Sequence, residues 1–249
     1  MKVSIITITY NASQTLESCI LSVAAQSWPD LEYIVVDGGS DDGSVFVIRK
    51  HVEKITRWVS EPDRGIYDAI NKGLAMATGD VAGFLHADDL YSDPDAVKKI
   101  VRLMEREKSD ACYADLVYVD SSSTDKAVRK WKSGEYEPGA FLNGWMPPHP
   151  TFFVRKEIYD RHGGYRLELG TAADYELMLR FIHKIGIRVS YLPETIIKMR
   201  TGGQSNASLK HRLKANRMDR KAWEVNGLQP RPHTLLLKPL RKAVQFWRW

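Results

Sequence analysis

Apolar runs alternate with mixed, helix-patterned stretches through the first 92 residues. Lys2–Thr9 (KVSIITIT) is rich in β-branched residues with an apolar core of Val3, Ile5, Ile6 and Ile8, as expected of a buried parallel strand. Tyr10-Asn11-Ala12-Ser13 breaks the run, and Ser13 is placed to cap a helix reaching about Gln26. Leu31–Val36 reads as a second strand, followed by a helix through Val47 and a strand near Thr56–Ser60. A loop at Glu61–Gly65, a helix from about Tyr67 to Met76 and a strand Val81–Leu85 complete this half. The alternation predicts an α/β fold with a mainly parallel sheet and right-handed crossovers.

The second half is more mixed. A helix from Asp95 to Glu107 precedes a strand over Ala111–Asp120, and Ala127–Trp131 reads as its hairpin partner, opening a second, mixed sheet. Met146-Pro147-Pro148-His149-Pro150 is too proline-rich for regular structure and sets His149 at the head of a strand Thr151–Val154. Leu169–Glu176 opens an amphipathic helix with Tyr175, Leu179, Ile182 and Ile185 at helical spacing. Val189–Leu192 and Thr195–Met199 read as two short strands, and Leu209–Val225 as a basic helix.

Composition narrows the class. The 249 residues suit one large domain or two small ones, with ordinary globular proportions. Cys19 and Cys112 fall in a predicted helix and strand and read as reduced core residues, without a disulfide framework or zinc site. No run approaches the roughly 20 apolar residues of a membrane span. Val3–Ile8 is too short for a signal-peptide core, so the expected setting is cytoplasmic. Of the net charge of +5, the stretch from Ser205 onward holds eleven Lys/Arg against two acids, which points to an anionic partner for the tail alone.

The candidate chemistry gathers at the predicted strand ends, where ligands bind in open α/β sheets. Thr9 and Tyr10 end the first strand; Asp37-Gly38-Gly39-Ser40-Asp41-Asp42-Gly43 ends the second; Asp88-Asp89 ends the fourth. Adjacent carboxylates are costly unless a cation sits between them and a substrate or one is protonated. Asp88-Asp89 therefore reads either as a divalent-metal site facing nucleotide phosphates or as a solvated turn before the helix that begins near Asp93-Pro94-Asp95.

The ordered set of Thr-Tyr-Asn, Val-Asp-Gly-Gly-Ser-x-Asp-Gly and Gly-Asp-x-x-x-Phe-Leu-x-x-Asp-Asp resembles the family 2 glycosyltransferases. Ser60–Gly73 (SEPDRGIYDAINKG) is similar to a segment of one branch of that family. The resemblance runs from Lys2 to about Ser205 and implies a GT-A fold: a glycosyltransferase domain over 1–205, with a nucleotide-sugar half (1–92) and an acceptor half (93–205), then a basic helical tail (206–249). By position it implies that Tyr10 packs on the base and Asp37 lies in the base and ribose pocket. Asp88 would contact ribose or metal, and Asp89 would ligate Mg²⁺ or Mn²⁺ on the diphosphate. Thr9, Asp63, Lys72 and Arg200 are further nucleotide-site candidates, Arg200 on a loop Arg200–Ser205 beside the site. Two departures stand out: Gly38 replaces an Asp that reads uracil in many members, and Ile70 replaces an Arg, leaving a phosphate contact to Arg64 or Lys72. Asp63 and Asp68 read equally well as residues that fix the loop and helix start, and Asn71 as a packing residue.

In the Ala-Asp-Tyr-Glu context of the family, Asp174 is the expected general base, Glu176 the second choice, and His149 either a site residue or a structural hydrogen-bonder. One base without a covalent intermediate implies inversion at the anomeric carbon. The implied activity is transfer of a hexosyl or N-acetylhexosaminyl group from a nucleotide-sugar donor, UDP-sugar first, to a glycan or lipid-linked acceptor in surface polysaccharide synthesis. A non-catalytic nucleotide-sugar-binding scaffold is the alternative. A nucleotidyltransferase is weaker, because the first strand leads into Thr9–Ser13 and not a Gly-rich loop with a cation.

The tail carries a second question. Leu236, Leu240, Ala243, Val244 and Trp247 share one helical face, with Lys238, Arg241, Lys242 and Arg248 away from it, and Trp249 adds a second terminal indole. Pro239 interrupts that helix. The pattern suits either an anionic membrane surface, which would place the protein peripherally on the inner face of the cytoplasmic membrane, or docking on the protein's own body or a second subunit. No module that reads nucleic acid is recognisable, and nothing in the pattern sets an oligomeric state.

Overall fold

In the computed structural model, which describes residues 1–202 and 209–244, the early apolar runs become four parallel strands. β1 (Val3–Thr9), β2 (Leu31–Asp37), β3 (Arg57–Ser60) and β4 (Val81–His86) lie in the order β3-β2-β1-β4. Helices α1 (Ser13–Ala24), α2 (Ser44–Lys50) and α3 (Ile66–Met76) connect them. All seven residues of β1 are buried, the hydroxyl residues Ser4, Thr7 and Thr9 included, as in a strand covered on both faces. The pleat sends Val3 and Ile5 into a core with Leu16, Cys19 and Ile20 of α1. Ile6 and Ile8 enter a second core with Ala69, Ile70 and Leu74 of α3. Gly73 lets α3 approach β1 this closely, since a Cβ there would stand 2.3 Å from Ile6 Cγ2.

The expected second sheet is instead the continuation of the first. The later elements are β5 (Asp89–Tyr91), α4 (Ala96–Glu107), β6 (Ala111–Val119), β7 (Ala127–Trp131), β8 (Phe153–Arg155) and α5 (Lys156–His162). α6 (Ala173–Met178), β9 (Val189–Arg200), α7 (Leu209–Glu224) and α8 (Thr234–Val244) follow. β4 pairs antiparallel with β8, β8 with β6, β6 parallel with β9, and β9 antiparallel with β5, giving one nine-stranded sheet with β7 on the side of β6. The three-residue strands β5 and β8 are too short to leave a periodic signature. The two short strands expected from Val189 to Met199 are one, β9, whose pairing with β6 slips at Ala114/Asp115 opposite Pro193. A proline is tolerated at such an irregularity because no ladder hydrogen bond is asked of it.

Only Ala87 and Asp88 separate β4 from β5, yet the two strands stand at opposite ends of the path β4-β8-β6-β9-β5. The sheet therefore curls back on itself, and Ala87-Asp88 turn the corner. The amphipathic helix expected from Leu169 is composite. A 3₁₀ turn (Leu167–Ala172), kinked at Gly170, leads into α6, which continues as a π-turn (Leu179–Ile185).

The C-terminal helices are docked on the body. Trp223 of α7 is almost wholly buried in the same core as Ile6 and Phe84, and its Nε1–H donates to Tyr175 Oη (3.0 Å). On α8, Thr234 Oγ1 donates to Leu142 O (2.6 Å) and Arg241 Nε to Asn143 O (2.9 Å). Lys238, expected on an outer face, turns inward to Asp219 (2.7 Å) and stands 3.6 Å from the Tyr175 ring centre. The opposite edge, with Leu236 and Leu240 63% and 59% exposed, faces out. Ser205, Trp247, Arg248 and Trp249 lie outside the described residues, as do the side chains of Lys242, Ala243 and Val244. Among the described residues no helix is long and apolar enough to cross a membrane.

At the amino end of the parallel strands, the buried Glu32 carboxylate ties three segments together. It accepts from Ser4 Oγ (2.6 Å), Thr78 N–H (2.8 Å) and Thr78 Oγ1 (2.8 Å), with Lys2 Nζ at 3.4 Å. Burial pushes its pKa up, but the bonds from Ser4 and Thr78 outweigh that and hold it at about 2. Because the folded-state value is depressed, its contribution is complete above the ordinary value of 4.5 and is lost as pH falls toward about 2. Glu32→Gln is expected to lower stability at pH 7 by about 1–3 kcal/mol. Urea melts between pH 5 and 2 should show a shallower acid limb for the variant than for the natural protein. An unchanged limb would remove Glu32 as its cause.

Candidate active site at the carboxyl ends of the strands

Three loops at the carboxyl ends of β1, β2 and β3 are laced to one another. Asn11 adopts a left-handed conformation (φ 50°), one of the few side chains that tolerates it. Its N–H donates to Ser40 Oγ (2.8 Å) while its Oδ1 accepts from Asp41 N–H (3.1 Å). Ser13 does not cap α1 with its own side chain. The cap comes from across the loops: Asp42 accepts from Ser13 N–H (2.9 Å), and Ser44 Oγ accepts from Ala12 N–H (3.0 Å). Burial raises the Asp42 pKa, but hydrogen bonds from Ser44 and Ser13 outweigh it and leave it at about 2.

Asp37, expected in the base and ribose pocket, is fully buried with both oxygens engaged. Oδ2 accepts from Gly39 N–H (3.1 Å), Ser40 N–H (3.0 Å) and Ser60 Oγ (2.7 Å), and Oδ1 accepts from Ser40 Oγ. It shapes the Gly38–Asp42 turn and presents no free carboxylate. Tyr10, by contrast, is 63% exposed at the tip of β1, an aromatic face open to a ligand. Thr9 Oγ1 is buried and finds no hydrogen-bond partner among the described residues.

The Glu61–Gly65 loop closes the side of this pocket. Glu61 N–H donates to Asp37 O (3.0 Å). Lys72 Nζ donates to Pro62 O (2.9 Å) and pairs with Glu61 (2.8 Å), so this expected nucleotide contact is occupied in holding the loop. Asp68 accepts from Arg64 N–H (3.0 Å) and pairs with its guanidinium (3.0 Å), fixing the start of α3. Ile70 is buried in the core. Asn71 clamps the backbone of Tyr165 from both sides (2.8 and 2.9 Å), the packing role expected of it.

The second half brings its carboxylate to the β4–β5 corner. His86, at the end of β4, feels the negative charge of both Asp88 and Asp174, although burial is the larger effect and pushes its pKa down. Asp174, at the first turn of α6, is half-buried; its Oδ1 accepts from Tyr175 N–H (2.7 Å). Burial and then the charge of Asp174 push the Tyr67 hydroxyl well above its ordinary value, which places that phenol beside the carboxylate. His149 is buried, its ring stacked on Phe84 (5.7 Å) and 6.2 Å from that of His86, with Nε2 bonded to Tyr165 Oη (2.6 Å). Burial lowers its pKa to about 4, against a weaker pull from Asp174, so it is neutral near pH 7.

The paired carboxylates divide. Asp88 is half-buried at the corner, whereas Asp89 is fully buried and neither oxygen has a hydrogen-bond partner among the described residues. Burial and then Asp88 drive the Asp89 pKa far up, only partly offset by Arg200. Such a carboxylate needs a proton or a cation. Among the described residues no cluster of three or more His, Cys, Asp or Glu forms a closed metal cage. Mg²⁺ typically takes one or two carboxylates and completes its shell with water and phosphate oxygens, so the pair fits such an ion. Arg200, expected to add charge to the diphosphate, donates to Asp88 O (2.7 Å) and Ser18 Oγ (3.1 Å) and so pins the corner itself.

Glu176 does not reach this crevice. It is fully buried in α6, held by Arg180 (2.9 and 3.1 Å) and by Asn226 Nδ2–H (3.0 Å), with Arg166 at 3.5 Å. A carboxylate held by those partners is an anchor, not a base. His86, Tyr67 and Tyr165 were not singled out from the sequence. Only the position of His86, two residues before Asp88, carried a signal for any of them.

Known proteins match both the sequence and this geometry. The model of the Glycosyl transferase family 2 matches residues 4–167. An uncharacterized glycosyltransferase of Mycobacterium tuberculosis is 35% identical over 186 residues, covering 72% of this chain and 68% of the relative. Residues 1–349 of TarS from S. aureus, solved in complex with UDP-GlcNAc, superpose with a TM-score of 0.70 at 18% identity, covering 99% of this chain and 72% of that 1–349 chain. The mannosyltransferase PcManGT of Pyrobaculum calidifontis, solved with GDP-Man and Mn²⁺, gives 0.66 at 19% identity over 98% and 69% of the two chains. The curled, mainly parallel sheet is the GT-A fold of these transferases, and the chain belongs to glycosyl transferase family 2.

Proposed function

We propose that the crevice beyond β1, β2 and β4 is the donor and acceptor site of an inverting glycosyltransferase. It would move a sugar from a nucleoside-diphosphate sugar, UDP-sugar first, to a glycan or lipid-linked acceptor in surface polysaccharide synthesis. The observation that carries this reading is the carboxylate pair at the β4–β5 corner, half-buried Asp88 beside an Asp89 that is buried without a hydrogen-bond partner among the described residues, at the strand ends that also expose the Tyr10 ring. TarS was solved with UDP-GlcNAc and PcManGT with GDP-Man and Mn²⁺, which supports a nucleotide-sugar donor and a divalent ion here.

In this reading Tyr10 lies against the base, and the unpaired Thr9 hydroxyl supplies a polar contact beneath the nucleoside. Asp37, Lys72 and Arg200 act by holding the loops that form the pocket. Asp88, the accessible carboxylate, and Asp89 behind it would hold Mg²⁺ or Mn²⁺, which supplies Lewis-acid relief of charge on the leaving diphosphate. Asp174 takes the proton of the acceptor hydroxyl as that oxygen attacks the anomeric carbon. The bond to the diphosphate breaks on the opposite face, and the nucleoside diphosphate leaves with the electron pair. A single displacement of this kind inverts the anomeric centre. Neutral His149 and Tyr165 keep the wall beside Asp174 in place.

The outward edge of α8, with Leu236 and Leu240 beside exposed Arg231 and Arg241, supports a membrane-bound setting for the acceptor. A short apolar stripe flanked by cations suits the boundary of an anionic bilayer.

Two experiments test these readings. Asp174→Asn is expected to bind UDP with Mn²⁺ within about threefold of the natural protein by calorimetry and to lose about 10²–10⁴-fold in transfer or donor hydrolysis. Retention of full turnover would remove Asp174 as the base. Co-sedimentation with phosphatidylglycerol-containing vesicles should exceed that with neutral vesicles. Leu236→Ser combined with Leu240→Ser should weaken it by about tenfold or more; equal binding by the variant would exclude α8 as the contact.

A further inference from the structure

The pocket around Gly38 lacks a side chain of its own, and a neighbouring loop fills the gap. A Cβ built on Gly38 would stand 2.4 Å from Asp63 Oδ2, 3.2 Å from Asp63 Cγ and 3.3 Å from Tyr10 Cδ2. The Asp63 carboxylate therefore occupies the space into which a residue-38 side chain would project, beside the ring of Tyr10. Gly38 does not have a positive φ, so only this crowding, and no backbone strain, bars a side chain there.

The carboxylate is held in a defined attitude. Oδ1 accepts the Gly65 N–H (2.7 Å), whereas Oδ2, the oxygen nearest Gly38, meets no donor among the described residues. The loop that carries it is fixed by the Glu61 N–H bond to Asp37 O and by Lys72 on Pro62 O and Glu61. One accepting oxygen is thus offered at the edge of the exposed Tyr10 face.

We infer that Asp63 is the base-reading residue of this chain, supplying from the β3–α3 loop the carboxylate that Gly38 lacks, and that it selects uracil. The inference rests on the donor-site reading above. A single accepting oxygen matches the one ring N–H of uracil, N3–H. Guanine offers two adjacent donors, N1–H and the N2 amino group, and would call for both oxygens of a carboxylate whose Oδ1 is already engaged. Cytosine presents an unprotonated N3, which a carboxylate repels. Loss of a charge-assisted hydrogen bond of this kind weakens binding by about ten- to a hundredfold.

The test is calorimetric titration of the 249-residue protein and its variants with UDP, CDP and GDP in Mn²⁺. The natural protein should prefer UDP. Asp63→Asn keeps an oxygen for the Gly65 N–H but turns an amino group toward the base, so it should narrow or reverse the preference for UDP over CDP. A residue that only supports the loop would weaken all three nucleotides alike and leave that ratio unchanged. Gly38→Asp alone should lose UDP affinity, because two carboxylates would claim one space. Gly38→Asp combined with Asp63→Ala should recover affinity to within about threefold of the natural protein. An unchanged UDP:CDP ratio in Asp63→Asn, with UDP still bound by the natural protein, would overturn the role of Asp63 and leave the donor site standing. Failure of the natural protein to bind any of the three at millimolar concentration would overturn both.

Discussion

The corner between β4 and β5 is the constraint on which the site depends. The chain leaves the parallel half at His86 and rejoins the sheet at Asp89 on β9, with two residues between. That connection is possible only if the sheet curls, and the curl brings α6, from the far half, over the end of β4. Arg200, at the end of β9, donates to the carbonyl of Asp88 and so closes the corner from the opposite strand. Asp88 and Asp174, 86 positions apart in the numbering, become neighbours of one imidazole for this reason.

The carboxylates around the crevice fall into distinct physical states. Asp37 and Asp42 are saturated with hydrogen bonds from the loops they organise, and Glu176 is consumed by Arg180 and Asn226. Asp63 and Asp174 each keep one oxygen outside the hydrogen bond that orients them. Asp89 is buried with neither carboxylate oxygen in a hydrogen bond among the described residues. An acceptor left unsatisfied in a protein interior is destabilising by a few kcal/mol, so it persists where a ligand or ion completes it. The saturated groups build the frame, and the incompletely satisfied ones mark where a ligand belongs.

The C-terminal helices belong to this frame. Tyr175 and Glu176, which follow Asp174 on α6, are held by Trp223 and Asn226 at the end of α7, and Lys238 of α8 covers the Tyr175 ring. The position of Asp174 thus depends on helices that look, by charge, like an appendage. A basic composition says how a segment meets solvent and counter-ions, but not whether its apolar residues already have a home.

The parallel half was legible because β1, β2 and β4 are buried almost throughout and of ordinary length, so each left a β-rich, mostly apolar stretch leading to Tyr10, Asp37 or Asp88. The ordered motifs that end those strands also marked the family and the stretch that holds Asp88, Asp89 and Asp174. The sequence by itself determined the strand–helix alternation, the loops that would meet a ligand and the residue types available there. Tertiary structure decided which of those residues are free. Asp37, Lys72, Arg200 and Glu176 have the right chemistry, but each is already engaged, in part by near neighbours such as Ser40 on Asp37 and Arg180 on Glu176, and in part by remote groups such as Ser60, Asn226, Ser18 and the Asp88 carbonyl. β5 and β8 are too short for periodicity to detect, and Tyr67, His86 and Tyr165 gain meaning only from the groups the curled sheet sets beside them. Hydrogen-bond satisfaction depends on contacts between remote segments, and no local pattern along the chain encodes it.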